Sequence, residues 1–214
     1  MPTANCRQDQ ESGWRVVRYK GQLARQSAIF GVLLLGLAGI VGRSAGAEER
    51  LQVDGEKSAI TFSLTDTLHA VKGNFAVASG AVSMDPKTGA MGGLITVNAT
   101  SGHSDSPTRD RRMVRDELKA KLFPTITFAP QHFTGAWAGE GDSTLQVTGV
   151  FTLLGHAHTI TVPMNVAVEH GQATAQGEFP VPYVAWGLPD PSVLFLRVGK
   201  VVTIGIRIVG SVTE

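Results

Sequence analysis

Cysteine is almost missing from this chain. Of 214 residues only Cys6 is one, so no intramolecular disulfide can form, and stability must come from burial and backbone hydrogen bonding. Charge is sparse as well, at 17% of residues against 43% hydrophobic ones, a globular composition that excludes an intrinsically disordered polyelectrolyte. Long apolar runs are few. Ala28 to Val41, AIFGVLLLGLAGIV, has no charge but falls short of the roughly 20 residues that cross a bilayer. Several catalytic signatures are also missing. Downstream of Ala47 there is no G-x-S-x-G elbow, and the chain holds no C-x-x-C pair, P-loop or dinucleotide-binding glycine pattern. Turn formers, in contrast, are plentiful, with 25 glycines and 10 prolines, which favours many short strands over long helices.

The first 47 residues form a separate compositional unit. Arg15, Arg18, Lys20 and Arg25 precede the apolar run, and the small residues Ser44-Ala45-Gly46-Ala47 follow it before the polar Glu48-Glu49-Arg50. A basic region, an apolar core and a small-residue site read as a secretory signal peptide cleaved after Ala47, and hence as a periplasmic or secreted product. An uncleaved anchor is the alternative. Cys6 would leave with the leader. Residues 1–47 hold six Lys/Arg and two Asp/Glu, so residues 48–214 keep 13 basic and 16 acidic groups, a net charge of −3. Without general basic character, nucleic acid is not an expected partner.

Apolar and polar residues alternate through most of the remaining chain. Ile60, Phe62 and Leu64 share one face; so do Phe75 and Val77, then Ile95 and Val97, then Ile126 and Phe128. Leu145, Val147, Gly149, Phe151 and Leu153 continue the pattern. Beyond a Gly155 turn come Ile160, Val162, Met164, Val166 and Val168, then Ala173 to Val181, and last Val202, Ile204, Ile206 and Ile208. The phase flips near Gly80, which predicts a β-bulge there. One stretch departs from period two: Thr108 to Lys121, TRDRRMVRDELKAK, reads as a basic helix with Thr108 as its cap. Such a helix is either a solvated face or a cationic rim beside a cavity mouth or an anionic membrane surface. Eight or nine antiparallel strands with one short helix in a connection make an all-β barrel or sandwich. Eight strands are about the number that enclose one small ligand.

Histidines offer the main enzymatic alternative. His156 and His158 lie on one side of a strand, a possible metal pair without an evident third ligand unless His69 or His103 approaches. Ser101, Ser104, Asp105 and His103 crowd together without a nucleophile motif. No catalytic, metal or cofactor residue is therefore assigned. A fully packed structural or stress-related barrel is the remaining reading.

Five weak motifs occur in a telling order. Val53-Asp54-Gly55-Glu56-Lys57-Ser58-Ala59-Ile60-Thr61-Phe62 is followed by Leu68-His69-Ala70-Val71-Lys72-Gly73-Asn74-Phe75. Arg109-Asp110, Leu118 and Phe123-Pro124-Thr125-Ile126-Thr127-Phe128 come next, then Val147-Thr148-Gly149-Val150-Phe151-Thr152-Leu153-Leu154-Gly155 and a final strand from Val198. Together they resemble the YceI-like family of periplasmic or secreted lipid-binding proteins. Lys57 stands where that family often has His, and Phe123-Pro124 replaces Tyr-Pro. The resemblance implies an antiparallel up-and-down, lipocalin-like barrel of about eight strands over residues 48–214. Its cavity would hold a polyisoprenoid, a quinone-like molecule or another amphiphilic lipid, without catalysis. The side chains expected to line it are Phe62, Leu64, Phe75, Val77, Ile95, Val97, Ile126, Phe128, Val147, Phe151, Ile160, Val162, Phe179, Trp186, Ile204 and Ile206. The Thr108–Lys121 helix would touch a membrane transiently.

Overall fold

Residues 48–65, 70–190 and 198–213 are described by the computed structural model. The leader at 1–47, with its cleavage site and Cys6, lies outside these residues, as does His69. Eleven strands follow one another: β1 (Glu49–Val53), β2 (Ala59–Thr65), β3 (Ala70–Phe75), β4 (Val77–Met84), β5 (Met91–Asn98), β6 (His103–Ser104), β7 (Thr125–Ala136), β8 (Gly141–Leu153), β9 (His156–Glu169), β10 (Gln172–Val181) and β11 (Val202–Thr213). A helix, α1 (Pro107–Arg112), runs into a π-helical turn at Met113–Glu117 between β6 and β7.

The strands close on themselves. Pairing runs β1-β4-β5-β7-β8-β9-β10-β11 and returns from β11 to β1, with Arg50 opposite Thr213 and Val53 opposite Gly210. β2, β3 and β6 extend this ring lengthwise. β2 continues β1 along β11, from Ala59 opposite Arg207 to Ser63 opposite Thr203. β3 continues into β4, and β6 prolongs β5 along β3. The result is an eight-stranded antiparallel barrel with up-and-down connections, in which, among the described residues, no long edge is left to pair with another chain.

Interruptions in the long strands have local chemical causes. Between β1 and β2, Asp54 Oδ1 accepts the backbone N–H groups of Glu56 and Lys57 at 3.1 and 3.2 Å, folding the insertion into a turn. Ser58 repairs the gap that the turn leaves in the ladder. Its hydroxyl donates to Asp54 O at 2.6 Å and accepts from Val209 N at 2.9 Å. The phase flip expected at Gly80 occurs earlier, where the β4–β5 register shifts between Val77 and Ser79. Gly80 has another role, because a Cβ there would stand 2.7 Å from the Val53 side chain. β7 runs well past Phe128, the end of its visible alternation. A second bulge between Pro130 and His132 flips its phase and brings Phe133 inside.

The helix starts one residue before Thr108. Ser106 is the cap, its Oγ accepting Arg109 N at 3.5 Å, and Pro107 occupies the first turn, where its missing N–H costs nothing. Asp110 ties α1 to β6. Its Oδ1 accepts Ser104 N at 2.9 Å and the Ser104 hydroxyl at 2.6 Å, while Oδ2 lies 3.1 Å from His103 Nδ1. The Ser104 hydroxyl above all, with the Ser104 N–H and His103 adding to it, holds the Asp110 carboxyl below the usual range. The Ser104 hydroxyl donates to a carboxylate rather than to an imidazole, which is not the arrangement of an activated serine nucleophile.

Candidate functional site: a two-chambered barrel interior

The interior is hollow. In a filled barrel the large inward side chains would be almost wholly inaccessible. Here Val162 is 1% exposed and Ile208 3%, while Ile60, Ile126, Phe151, Ile160, Ile204 and Ile206 are only half-buried although they belong to the core clusters. The accessible surface on these side chains faces space inside the barrel.

That space forms two chambers. An outer one of about 480 Å³ lies at the end that carries α1, and an inner one of about 180 Å³ extends towards the opposite end. Phe75, Ile126, Phe151 and Ile204 face both. Polar groups are segregated. The outer chamber is edged by Arg109 and Arg112 of α1, Glu117 of the π-helical turn and Tyr183, which follows β10. Arg112 Nε lies 3.6 Å from Glu117 Oε1. Burial pushes the Glu117 carboxyl up, against the pull of Arg112. Tyr183 donates its hydroxyl proton to Gly199 O at 2.9 Å, and burial, followed by the charges of Asp190 and Glu117, pushes its ionisation up. The inner chamber is walled by apolar side chains and Thr127 as far as Glu49 and Arg50. At that far end the Trp137 indole N–H donates to Glu49 Oε1 at 2.8 Å, linking the β7–β8 connection to β1 across two intervening strands.

Most of the residues expected to line a cavity do face one. Phe75, Ile95, Val97, Ile126, Phe128, Val147, Phe151, Ile160, Val162, Phe179, Ile204 and Ile206 line the inner chamber. Phe62 and Leu64 line the outer one. Val77 and Trp186 face neither: Val77 packs with Val53, Ala175 and Ile208, and Trp186 packs against the core cluster beside Phe151 and His158. Its ring lies 5.8 Å from Phe151 and stacks on His158 at 3.9 Å with 6° between the planes. Sequence reasoning offered a cationic rim at a cavity mouth as one reading of the basic helix, and it missed Tyr183. The basic helix marked Arg109 and Arg112, but nothing in periodicity says that α1 folds back over the barrel end. It also missed Met84, Met91 and Trp137 at the far end, which lie where the alternation is broken by turns.

His156 and His158 have divergent surroundings. His156 is exposed, whereas His158 is held in the Trp186 stack with a buried Nε2 that has no hydrogen-bond partner among the described residues. Among those residues, no three His, Cys, Asp or Glu side chains gather as a metal site.

Comparison with known proteins agrees with this architecture. The crystal structure of BcnA from Burkholderia cenocepacia is similar to this chain at 25% identity, covering 74% of it and 99% of BcnA, with a TM-score of 0.60. A structure described as a polyisoprenoid binding domain from Saccharophagus degradans, implicated in plant cell wall breakdown, shares the fold at 14% identity. It covers 76% of this chain and 98% of its own, with a TM-score of 0.62. A YCEI protein from Campylobacter jejuni shares it at 16% identity, 64% and 81% coverage and a TM-score of 0.51. No curated protein matches the sequence. The family model of the YceI-like domain matches residues 51–210. With that span and this barrel, the chain belongs to the YceI-like family.

Proposed function

We propose that this protein is an exported, non-catalytic carrier that holds a polyisoprenoid-type or similar amphiphilic lipid in the barrel. The observation that carries this reading is the separation of chemistry inside one cavity: an apolar interior, with cationic and hydrogen-bonding groups gathered at one mouth. An outer chamber of about 480 Å³ is within the ordinary size range of small-molecule sites. Each methylene buried there contributes about 0.8 kcal/mol, so ten contribute roughly 8 kcal/mol before the cost of ordering a flexible tail. No catalytic group is needed for that. Membership of the YceI-like family and the polyisoprenoid binding ascribed to the Saccharophagus degradans domain support the same ligand class.

Export would follow from residues 1–47 acting as a signal peptide cleaved after Ala47, leaving the barrel domain 48–214 in the periplasm or medium. The lipid would contact the chamber-lining residues, with Val77 and Trp186 packed beside them in the core. The Thr108–Lys121 segment, followed by Leu122 at 74% exposure, would touch an anionic membrane at the mouth of the outer chamber. Co-sedimentation with phosphatidylglycerol vesicles that is indifferent to Leu122→Asp would refute that contact. The carrier reading is tested by purifying the protein from its native host, extracting it with organic solvent and identifying the extract by mass spectrometry. Near-stoichiometric recovery of one amphiphile class is expected. An empty extract from protein that also binds no added amphiphile would overturn the reading.

A further inference from the structure

We propose that Phe75, Ile126, Phe151 and Ile204 form a fixed ring that makes the inner chamber a separate subsite for the tail end of the ligand, so that the ring selects ligands by tail length. This rests on the lipid-carrier reading and adds to it which part of the lipid goes where. The four side chains come from β3, β7, β8 and β11, strands distributed around the barrel, and they are the ones that face both chambers.

The ring is buttressed. Phe75 packs against Phe62 with ring centres 5.5 Å apart. Phe151 meets Phe179 edge-on at 5.5 Å and Trp186 at 5.8 Å, and Trp186 is itself stacked on His158. Aromatic side chains held on several sides do not step aside without disturbing their neighbours. A tail that passes from the outer chamber into the inner one therefore threads an opening set by these four residues.

Polarity fixes the direction. Arg109, Arg112, Glu117 and Tyr183 lie on the outer side of the ring, so a polar head stays there and the apolar end goes through. Size fixes the increment. At about 180 Å³, the inner chamber is near the roughly 150 Å³ that accommodates a benzene-sized group in an engineered apolar cavity. Beyond the ring there is thus room for a short terminal segment.

The test is a homologous series of octanoic, lauric, palmitic and behenic acids titrated calorimetrically into delipidated full-length mature protein. Ile204→Phe and Ile126→Phe narrow the ring from opposite parts of the barrel, so one remains informative if the other fails to fold. In the unaltered protein, affinity should rise by about fourfold for each methylene buried beyond the ring. In the narrowed variants the gain per added methylene should be lost beyond the ring, so that the affinity of the longer acids relative to octanoic acid falls at least tenfold from its value in the unaltered protein. If both variants weaken all lengths equally, or neither changes the length dependence, the ring does not select length and the inference falls. If the unaltered protein binds no acid of any length this inference falls, and the lipid-carrier reading falls with it only where the native-host extract is empty as well.

Discussion

Two isoleucines on one strand offer a direct test of the hollow interior. Ile204 and Ile208 both point into the barrel from β11, yet Ile208, at the edge of the inner chamber, is only 3% exposed and packed with Val53, Val77 and Ala175, whereas Ile204 is half-buried and faces both chambers. Replacing either by alanine removes three carbons. At Ile208 the transfer term alone is roughly 2.4 kcal/mol, and the new cavity raises the cost to about 4 kcal/mol. At Ile204 part of the side chain already borders empty space, so about 1 kcal/mol of transfer is lost and little new cavity is created. With an m-value of about 2 kcal/mol per molar urea, the midpoint should drop by about 2 M for Ile208→Ala and about 0.5 M for Ile204→Ala. Urea unfolding of the delipidated protein, followed by tryptophan fluorescence, measures both. Equal losses at the two sites would mean that Ile204 is as fully packed as Ile208, and the account of a hollow barrel would be refuted.

Gly73→Ala should cost about 2–3 kcal/mol in urea unfolding, because the added Cβ would stand 2.2 Å from the His103 backbone oxygen and 2.5 Å from the Phe62 ring. Asp110→Asn should lower the melting temperature at neutral pH. The Asp110 carboxyl sits below its ordinary range in the folded state, so its stabilisation is present above the unfolded-state range and disappears as pH falls through the folded-state value. Thermal melts should therefore show the gap between variant and parent closing in acid. Lys119→Gly should raise stability by about 0.5–1 kcal/mol, since Lys119 holds a left-handed backbone with φ of 46° at the end of the helical segment; an unchanged or lower urea midpoint would contradict this.

Strand identity was legible wherever one face of the sheet is apolar. From Leu145 to Val168 the alternation places β8 and β9 without help from the rest of the fold, because side chains of successive residues point to opposite faces. Legibility stopped at bulges and at short-range ambiguities. Pro130 looks like a strand breaker and the following bulge reverses the phase, so the second half of β7 was hidden even though its Phe133 is in the core. The helix cap was misplaced by two residues because Ser106 and Thr108 have equivalent chemistry, and only the position of Pro107 decides between them.

The sequence by itself determined that the domain is all-β, that it lacks disulfide staples, and which side chains share an apolar face, since these follow from composition and a two-residue period. Whether that face encloses space is a property of closure. It depends on β11 pairing with β1 and on how far side chains from opposite walls reach, quantities summed over residues distant in the chain. The tertiary structure alone decided that the barrel is hollow, that α1 brings Arg109 and Arg112 to its mouth, and that four residues from four strands divide the interior. The local alternation that makes a strand carries no record of what stands across the barrel from it.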